Sequence, residues 1–283
     1  MTPERFIAWL QRFGYLSQGT PNDADIAAAV SRMQQVYGLQ PTGQITPATL
    51  RASRLFRCSH QDNAITAADT AGTGVNTTLP STINPDCRWK KQQVTYAIGD
   101  SFSEVGGDDY KAIVRKGFAY YAPLCGLNFV EVDFDVADIQ VLASPALAQS
   151  SLPGNVLAIS NLPYSSVPVP LKSTFDAEEA WTSNAAGPGV VFQAVWMHEL
   201  GHLLGLTHSA NPNDIMSPFY TPDLLYPQRG DKQRLSLLYN IPFIETPDAT
   251  GTLSVGAYSF DGIMVVRHDG GIALNLKNVM PAD

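Results

Sequence analysis

The chain has 283 residues, 45% of them hydrophobic, and a net charge of −8 with no basic cluster. That balance argues against nucleic acid and anionic membrane surfaces as partners, and no apolar run is long enough to span a bilayer. The length allows about two domains with a sizeable core.

Phe6, Trp9, Leu10 and Phe13 recur at helical spacing and stop at Gly14, which predicts a first helix from Pro3. A second is predicted over 23–37, with Ile26, Val30, Met33 and Val36 apolar and Gly38 past its end. Gln40-Pro41-Thr42-Gly43 is turn chemistry. Thr46 and Pro47 then read as the cap and first-turn proline of a third helix running to Leu55. Over 61–86 the composition shifts to Ala, Thr, Ser, Asn and Gly, which reads as an exposed linker open to proteolysis. No basic run marks a furin-type site there. Strands are expected at 92–98, 127–132 and 138–143, and helices at 108–122 and 231–239. Near the C-terminus, 252–260, 263–267 and 272–276 read as three short strands joined by Asp-Gly and Asp-Gly-Gly turns. His268 reads as a surface turn residue.

Three of the five histidines fall between His198 and His208. On a helix, His198 and His202 share a face one turn apart. Glu199 is angled off that axis, better placed to hold a water than to bind metal. Gly205 can end the helix in a left-handed conformation, so that the chain turns and brings His208 in as a third ligand. Three protein ligands with one position left open is the catalytic zinc pattern. Zinc held by His198, His202 and His208 would polarise a water, and Glu199 would take its proton and deliver it to the departing nitrogen.

These eleven residues resemble the HExxHxxGxxH motif of the metzincin metalloproteases, and Ser209 directly after them is similar to the matrixin branch. Asp214-Ile215-Met216-Ser217-Pro218-Phe219-Tyr220 resembles the matrixin Met-turn and pocket wall. The resemblance implies Met216 as an apolar base under the zinc, with Pro218 and Tyr220 touching substrate. Phe56-Arg57-Cys58-Ser59-His60-Gln61-Asp62 resembles the matrixin cysteine switch. It implies that Cys58 fills the open zinc position and keeps the enzyme latent, with Arg57 and Asp62 as the flanking charges. Ser59, His60 and Gln61 depart from the family's Gly, Val and Pro, and His60 is a competing imidazole.

Further implications come from the same resemblance. The segment 153–159 resembles the strand on the upper rim of the cleft, with the Ala158 carbonyl facing the leaving amine and an edge open to strand addition. Ala194 matches the position that sets the depth of the specificity pocket, so a large apolar residue after the cut is expected. Asp176 and Glu179 match family calcium ligands, which makes calcium a second candidate ion. Ile159 and Thr174 stand where the family's structural zinc needs ligands, so one zinc per chain is expected. The three N-terminal helices resemble the matrixin prodomain and also small peptidoglycan-binding domains.

The expected fold is α+β: a helical prodomain (1–62), a linker (63–78), a matrixin-like catalytic domain (79–242) with a mixed sheet and three helices, and a C-terminal β appendage (243–283). The expected function is zinc-dependent endopeptidase, monomeric, acting on protein or peptide. Two alternatives stand beside it: a glycan- or protein-binding protein on a degenerate protease fold, and a metzincin of another branch. The N-terminus lacks the basic start and apolar core of a signal peptide, although family habit favours secretion. Cys87 and Cys125 are either a disulfide or two buried thiols.

Overall fold

The computed structural model describes residues 2–62, 83–100, 110–145, 156–184 and 187–243 in full, and 250–255, 258–266 and 272–281 as backbone strands. The whole 63–78 linker reading, residues 153–155 of the rim segment and His268 lie outside the described residues. By its internal contacts the chain divides into two compact units, Met1–Tyr239 and Asn240–Asp283.

Three short helices open the first unit: α1 (Pro3–Arg12), α2 (Asp23–Val36) and α3 (Pro47–Ala52). Each begins on a residue whose side chain satisfies a free backbone N–H of the first turn. Thr2 accepts from Arg5, while Asn22 with Asp25 and Thr46 with Thr49 form reciprocal capping boxes. Gly14 and Gly38 follow α1 and α2 with φ of +80° and +64°, the left-handed stops read from the sequence. The third helix is shorter than expected, because Ser53 caps it and residues 53–55 form a turn. Phe6, Trp9, Leu10, Phe13, Val30 and Met33 are fully buried in one cluster, which Val156 of the cleft rim joins.

The rest of this unit is built on a five-stranded sheet. Its strands are β1 (Gln93–Ile98), β2 (Asn128–Glu131), β3 (Ile139–Ser144), β4 (Ala158–Ser160) and β5 (Leu171–Asp176), in the order β2-β1-β3-β5-β4. The first four run parallel, and β4 closes one edge antiparallel to β5. In that register Ile159 lies opposite Thr174. A short pair, β6 (Trp181–Thr182) and β7 (Val190–Val191), leads into α5 (Phe192–Leu203). Helices α4 (Tyr110–Cys125) and α6 (Arg229–Tyr239) complete the layer. The mixed sheet and α+β class agree with the sequence expectation.

Helix α5 is buried along nearly its whole length, and α4 clamps it. The Trp196 indole donates to the Val114 carbonyl at 3.2 Å, and the Tyr121 hydroxyl donates to the Met197 carbonyl at 2.8 Å. Gly117 makes the first contact possible, since a Cβ there would lie 2.1 Å from Trp196 Nε1. Each aromatic side chain removed from water in this way stabilises the fold by roughly 1.5–3 kcal/mol.

The end of α5 decides where the chain goes next. Gly205 has φ of +97°; its N–H returns to His202 at 2.8 Å, and that of Leu206 returns to Gly201 at 2.9 Å. This is the glycine-terminated Schellman turn. A Cβ on Gly205 would sit 1.8 Å from the Cys87 carbonyl oxygen, so both backbone conformation and space demand glycine. Gly205→Ala is therefore expected to cost more than about 1 kcal/mol, read as a lowered midpoint in urea unfolding. An unchanged midpoint would show that the turn adapts.

Cys58, Cys87 and Cys125 are all free and buried, so of the two readings for Cys87 and Cys125 the structure supports buried thiols. Helix α4 runs past the expected 122 to end at Cys125, whose Sγ donates to the Tyr121 carbonyl at 3.1 Å.

The second unit is a three-stranded antiparallel meander of β8 (Thr250–Val255), β9 (Tyr258–Val266) and β10 (Ile272–Pro281). Three strands were expected, but not these boundaries. Asp261 and Gly262 do not turn the chain; they pair with Lys277 and Leu276 inside β9. The apolar alternation of Tyr258, Phe260, Met264 and Val266 continues through Gly262, and a pattern of period two holds a strand together across one Asp-Gly pair. The pairing of β8 with β9 reaches Val255 and Tyr258 instead.

Candidate active site

His198 and His202 project from α5 with their Nε2 atoms 3.1 Å apart. Each ring is oriented by a hydrogen bond from Nδ1: His198 to the Ile215 carbonyl at 2.7 Å, His202 to the Leu206 carbonyl at 2.7 Å. His208 arrives beyond the Gly205 turn with its Nδ1 2.8 Å from Asp62 Oδ1. Cys58 Sγ lies 3.3 Å from His202 Nε2. One ligating atom from each of Cys58, His198, His202 and His208 lies within 4.8 Å of the other three. All four residues are buried.

The electrostatics suit a cation at this point. Burial, reinforced by the neighbouring imidazoles, holds the pKa of His198 and His202 well below the usual range, and burial also lowers that of His208. Neutral imidazole is the metal-binding form. Burial and then the Glu199 carboxylate push the Cys58 thiol well above its ordinary value, an arrangement that a dication would invert. His208 Nε2 is buried without a hydrogen-bond partner, as are both carboxylate oxygens of Glu199. Burial raises the Glu199 pKa to about 7, with Ser160 and Cys58 drawing it back only in part. Orphaned donors and acceptors converging on one point are costly unless something completes them. Three imidazoles and a thiolate are a tetrahedral zinc donor set, so the residues present fit that ion.

The segment carrying Cys58 lies between the edge of the sheet and the wall after α5. Arg57 bridges Val156 in parallel on one side and Phe219 antiparallel on the other. Ser59 N donates to Ala158 O at 3.3 Å, Cys58 N to Pro218 O at 3.2 Å, and Tyr220 N to Phe56 O at 3.1 Å. Three positions expected to touch substrate (Ala158, Pro218 and Tyr220) are therefore engaged by the chain's own segment. Ala194 lines a cavity of about 30 Å³ with Val195, Tyr220 and Leu224. The Tyr220 hydroxyl accepts from Val191 N at 2.8 Å and fixes the mouth of that cavity.

A buried knot holds the segment in place. Arg57 donates to both carboxylate oxygens of Asp62 at 2.8 and 2.9 Å and to the Tyr37 hydroxyl at 2.8 Å. Its guanidinium sits 3.6 Å from the centre of the Phe13 ring. The Tyr15 hydroxyl donates to Asp62 at 2.6 Å. Opposed by burial but held by Arg57 and His208, the Asp62 carboxyl titrates at about 2. Tyr15 follows the Gly14 stop and Tyr37 ends the second predicted helix, and the sequence reading gave neither a part in holding this segment. Arg12 reaches Ser59 Oγ, so Ser59, where the family has glycine, gains a partner.

His60 does not join the metal-ligating set. Its Nε2 bonds to the Ser160 carbonyl, while its ring packs 4.0 Å from that of His202. Asp176 Oδ1 accepts from Glu178 N and Glu179 Oε1 from Ala180 N, each at 2.9 Å. Among the described residues the only group of three or more potential metal ligands is the Cys58 set, and no third carboxylate is gathered to Asp176 and Glu179.

Met216 lies fully buried under α5. Its Sδ is 2.3 Å from the point a Cβ on Gly201 would occupy, so the glycine between the two helical histidines admits the sulfur. Asp231 holds the turn around Met216 by accepting from the backbone N–H groups of Ile215 (2.8 Å), Met216 (3.3 Å) and Gln228 (2.8 Å). Sequence reading placed Asp231 at a helix start but gave it no part in supporting the site.

A helix-borne histidine pair, a third histidine past a glycine turn and a methionine beneath them define a metzincin-type metalloprotease scaffold. Residues 88–240 match the family profile described as matrixin, and residues 7–52 match a putative peptidoglycan binding domain. Matrix metalloproteinase-25 of Mus musculus is 34% identical over 230 residues, covering 76% of this chain and 36% of that protein. Matrix metalloproteinase-17 of Homo sapiens is 29% identical, covering 86% of this chain and 42% of that protein. Metalloendoproteinase 1-MMP of Arabidopsis thaliana is 28% identical, covering 76% and 62%. The chain thus spans less than two thirds of the length of each of these relatives. It belongs to the matrixin family. That membership bears out the resemblance read from the sequence and sets aside another metzincin branch.

Proposed function

We propose that this chain is a zinc-dependent endopeptidase held latent by its own N-terminal segment. The observation that carries the reading is the convergence of the His198, His202, His208 and Cys58 ligating atoms beside a buried, unpartnered Glu199. The three histidines hold the ion, which when bound supplies Lewis-acid polarisation and lowers the pKa of a water. Glu199 takes the proton of the attacking water and returns it to the departing amide nitrogen. A raised carboxyl pKa suits this work, because a general base is most effective near the operating pH.

Substrate is a protein or peptide in extended form. It lies along the edge of β4, where the Ala158 carbonyl accepts a backbone N–H, and its far side meets Pro218 and Tyr220. The cavity under Ala194 receives a large apolar side chain after the cut. Met216 supports the histidines from below. Cys58 occupies the fourth position in the latent form and is withdrawn when the segment 1–62 is released by cleavage in the 63–78 linker. The enzyme acts as a monomer outside the cell, without nucleic acid partners. No helix among the described residues is long and apolar enough to cross a membrane. Asp176 and Glu179 remain the candidate calcium ligands.

The deciding experiment is hydrolysis of quenched fluorescent peptides by the processed chain. Activity abolished by a zinc chelator and restored by zinc supports the reading, and chelator-resistant cleavage would overturn it. A second measurement counts the metal. Ile159 and Thr174 leave no imidazole where a structural zinc would bind, so elemental analysis is expected to give one zinc per chain. Two tightly held zincs would contradict this.

A further inference from the structure

The three zinc-site histidines are oriented by different parts of the chain. His198 and His202 give their Nδ1 protons to backbone carbonyls of Ile215 and Leu206, which belong to the same fold as α5. His208 gives its Nδ1 proton to a carboxylate, Asp62 Oδ1 at 2.8 Å, and both side chains are fully buried. That carboxylate comes from the N-terminal side of the linker. We infer that Asp62 is a positioning residue of the metal site, orienting His208 as a ligand so that the full chain holds zinc more tightly than the chain from which residues 1–62 have been removed. The inference rests on the proposed zinc site but not on Cys58 as a ligand.

The physical argument begins with the ring. An imidazole ligates through one nitrogen, and the partner of the other nitrogen fixes its tautomer and rotation. With Asp62 holding Nδ1–H, His208 presents Nε2, which has no partner among protein atoms. Asp62 is itself held rigid: Arg57 binds both its oxygens, Tyr15 donates to Oδ2 at 2.6 Å, and its own N–H donates to Phe13 O at 2.9 Å. A fixed anion behind an imidazole also makes that ligand more basic, which favours bonding to a cation. Removing residues 1–62 removes this support from one ligand of three. The N-terminal segment would then serve metal retention as well as inhibition, holding zinc in the chain until processing.

The test is metal affinity, measured by competition with a chromophoric chelator on the full chain and on its Asp62→Asn, Cys58→Ala and doubly substituted forms. Loss of such an outer partner typically weakens metal binding about 10–100-fold. Asp62→Asn is expected to weaken zinc by at least about tenfold in both the wild-type and the Cys58→Ala backgrounds, and Asp62→Ala by more, since asparagine keeps a neutral acceptor. Cobalt loading supplies a second readout. The thiolate-to-cobalt absorption band is expected to persist in Asp62→Asn, because Arg57 keeps its bonds to Cys58 O, Tyr37 and His60 O, showing that Cys58 is still docked while affinity has fallen. Equal affinity with and without Asp62→Asn in the Cys58→Ala background overturns the inference. So does an affinity loss that appears only together with loss of the thiolate band. Absence of that band in the wild-type chain would refute Cys58 as a ligand, yet the Asp62 effect would still be measurable.

Discussion

Replacing Glu199 by alanine is expected to lower kcat of the processed enzyme by about 10²–10⁴-fold, the usual worth of a general acid–base group, while zinc content and fold persist. The fold should tolerate the change because burial already presses the Glu199 carboxyl towards the neutral form, and its interactions with Ser160 and Cys58 offset that only in part. Chemistry should not tolerate it, because among the described residues the other carboxylate that reaches a site histidine is Asp62, which leaves with residues 1–62 on processing. Glu199→Gln should fail to the same degree, since it keeps the shape and loses only the ability to take a proton. KM should move little in either variant, as expected when an interaction made in the transition state is removed. Turnover within tenfold of the parent at normal zinc occupancy would exclude Glu199 as the base.

The sequence displayed this site unevenly, and the reasons are physical. His198, His202, Gly205 and His208 were legible because helix geometry and a positive-φ glycine convert spacing directly into position. Cys58 was legible only through resemblance, because nothing local ties a cysteine to histidines 140 or more residues away. The residues that hold its segment were hidden for the same reason. Tyr15 and Tyr37 look like ordinary helix-end aromatics, and only the tertiary fold turns their hydroxyls onto Asp62 and Arg57. Asp231 reads as a first-turn acid, yet its carboxylate organises the turn around Met216. The errors ran in the same direction. Asp261-Gly262 carried a strong local turn signal, and strand pairing over β9 overrode it. The starts of α1, α2 and α3, by contrast, were read well, since each cap is an interaction among residues three apart, whereas α6 begins two residues before the expected 231.

Substituting Cys58 by alanine in the full chain is expected to raise peptide hydrolysis by at least about tenfold, and by up to the 10²–10⁴-fold that water activation contributes. The parent chain is expected to be nearly silent, since its fourth ligand position faces sulfur rather than water. Two kinds of restraint have to be separated. The thiol denies water a place, while the strap from Phe56 to Ser59 lies across the cleft through backbone hydrogen bonds to Ala158, Pro218 and Tyr220. Cys58→Ala removes the first and leaves the second, so it should fall short of the processed enzyme by a factor that shrinks as peptide concentration rises. Arg57→Ala acts on the second. It leaves Asp62 buried without its partner, a loss of about 3–5 kcal/mol for a pair of this kind, enough to free the strap and expose the thiol to alkylation. The order of activity should therefore be parent, then Cys58→Ala, then the processed chain, with Cys58 alkylation fastest in Arg57→Ala. Should Cys58→Ala stay as silent as the parent while Arg57→Ala becomes active, inhibition resides in the strap alone, and the sulfur is not what keeps the enzyme latent.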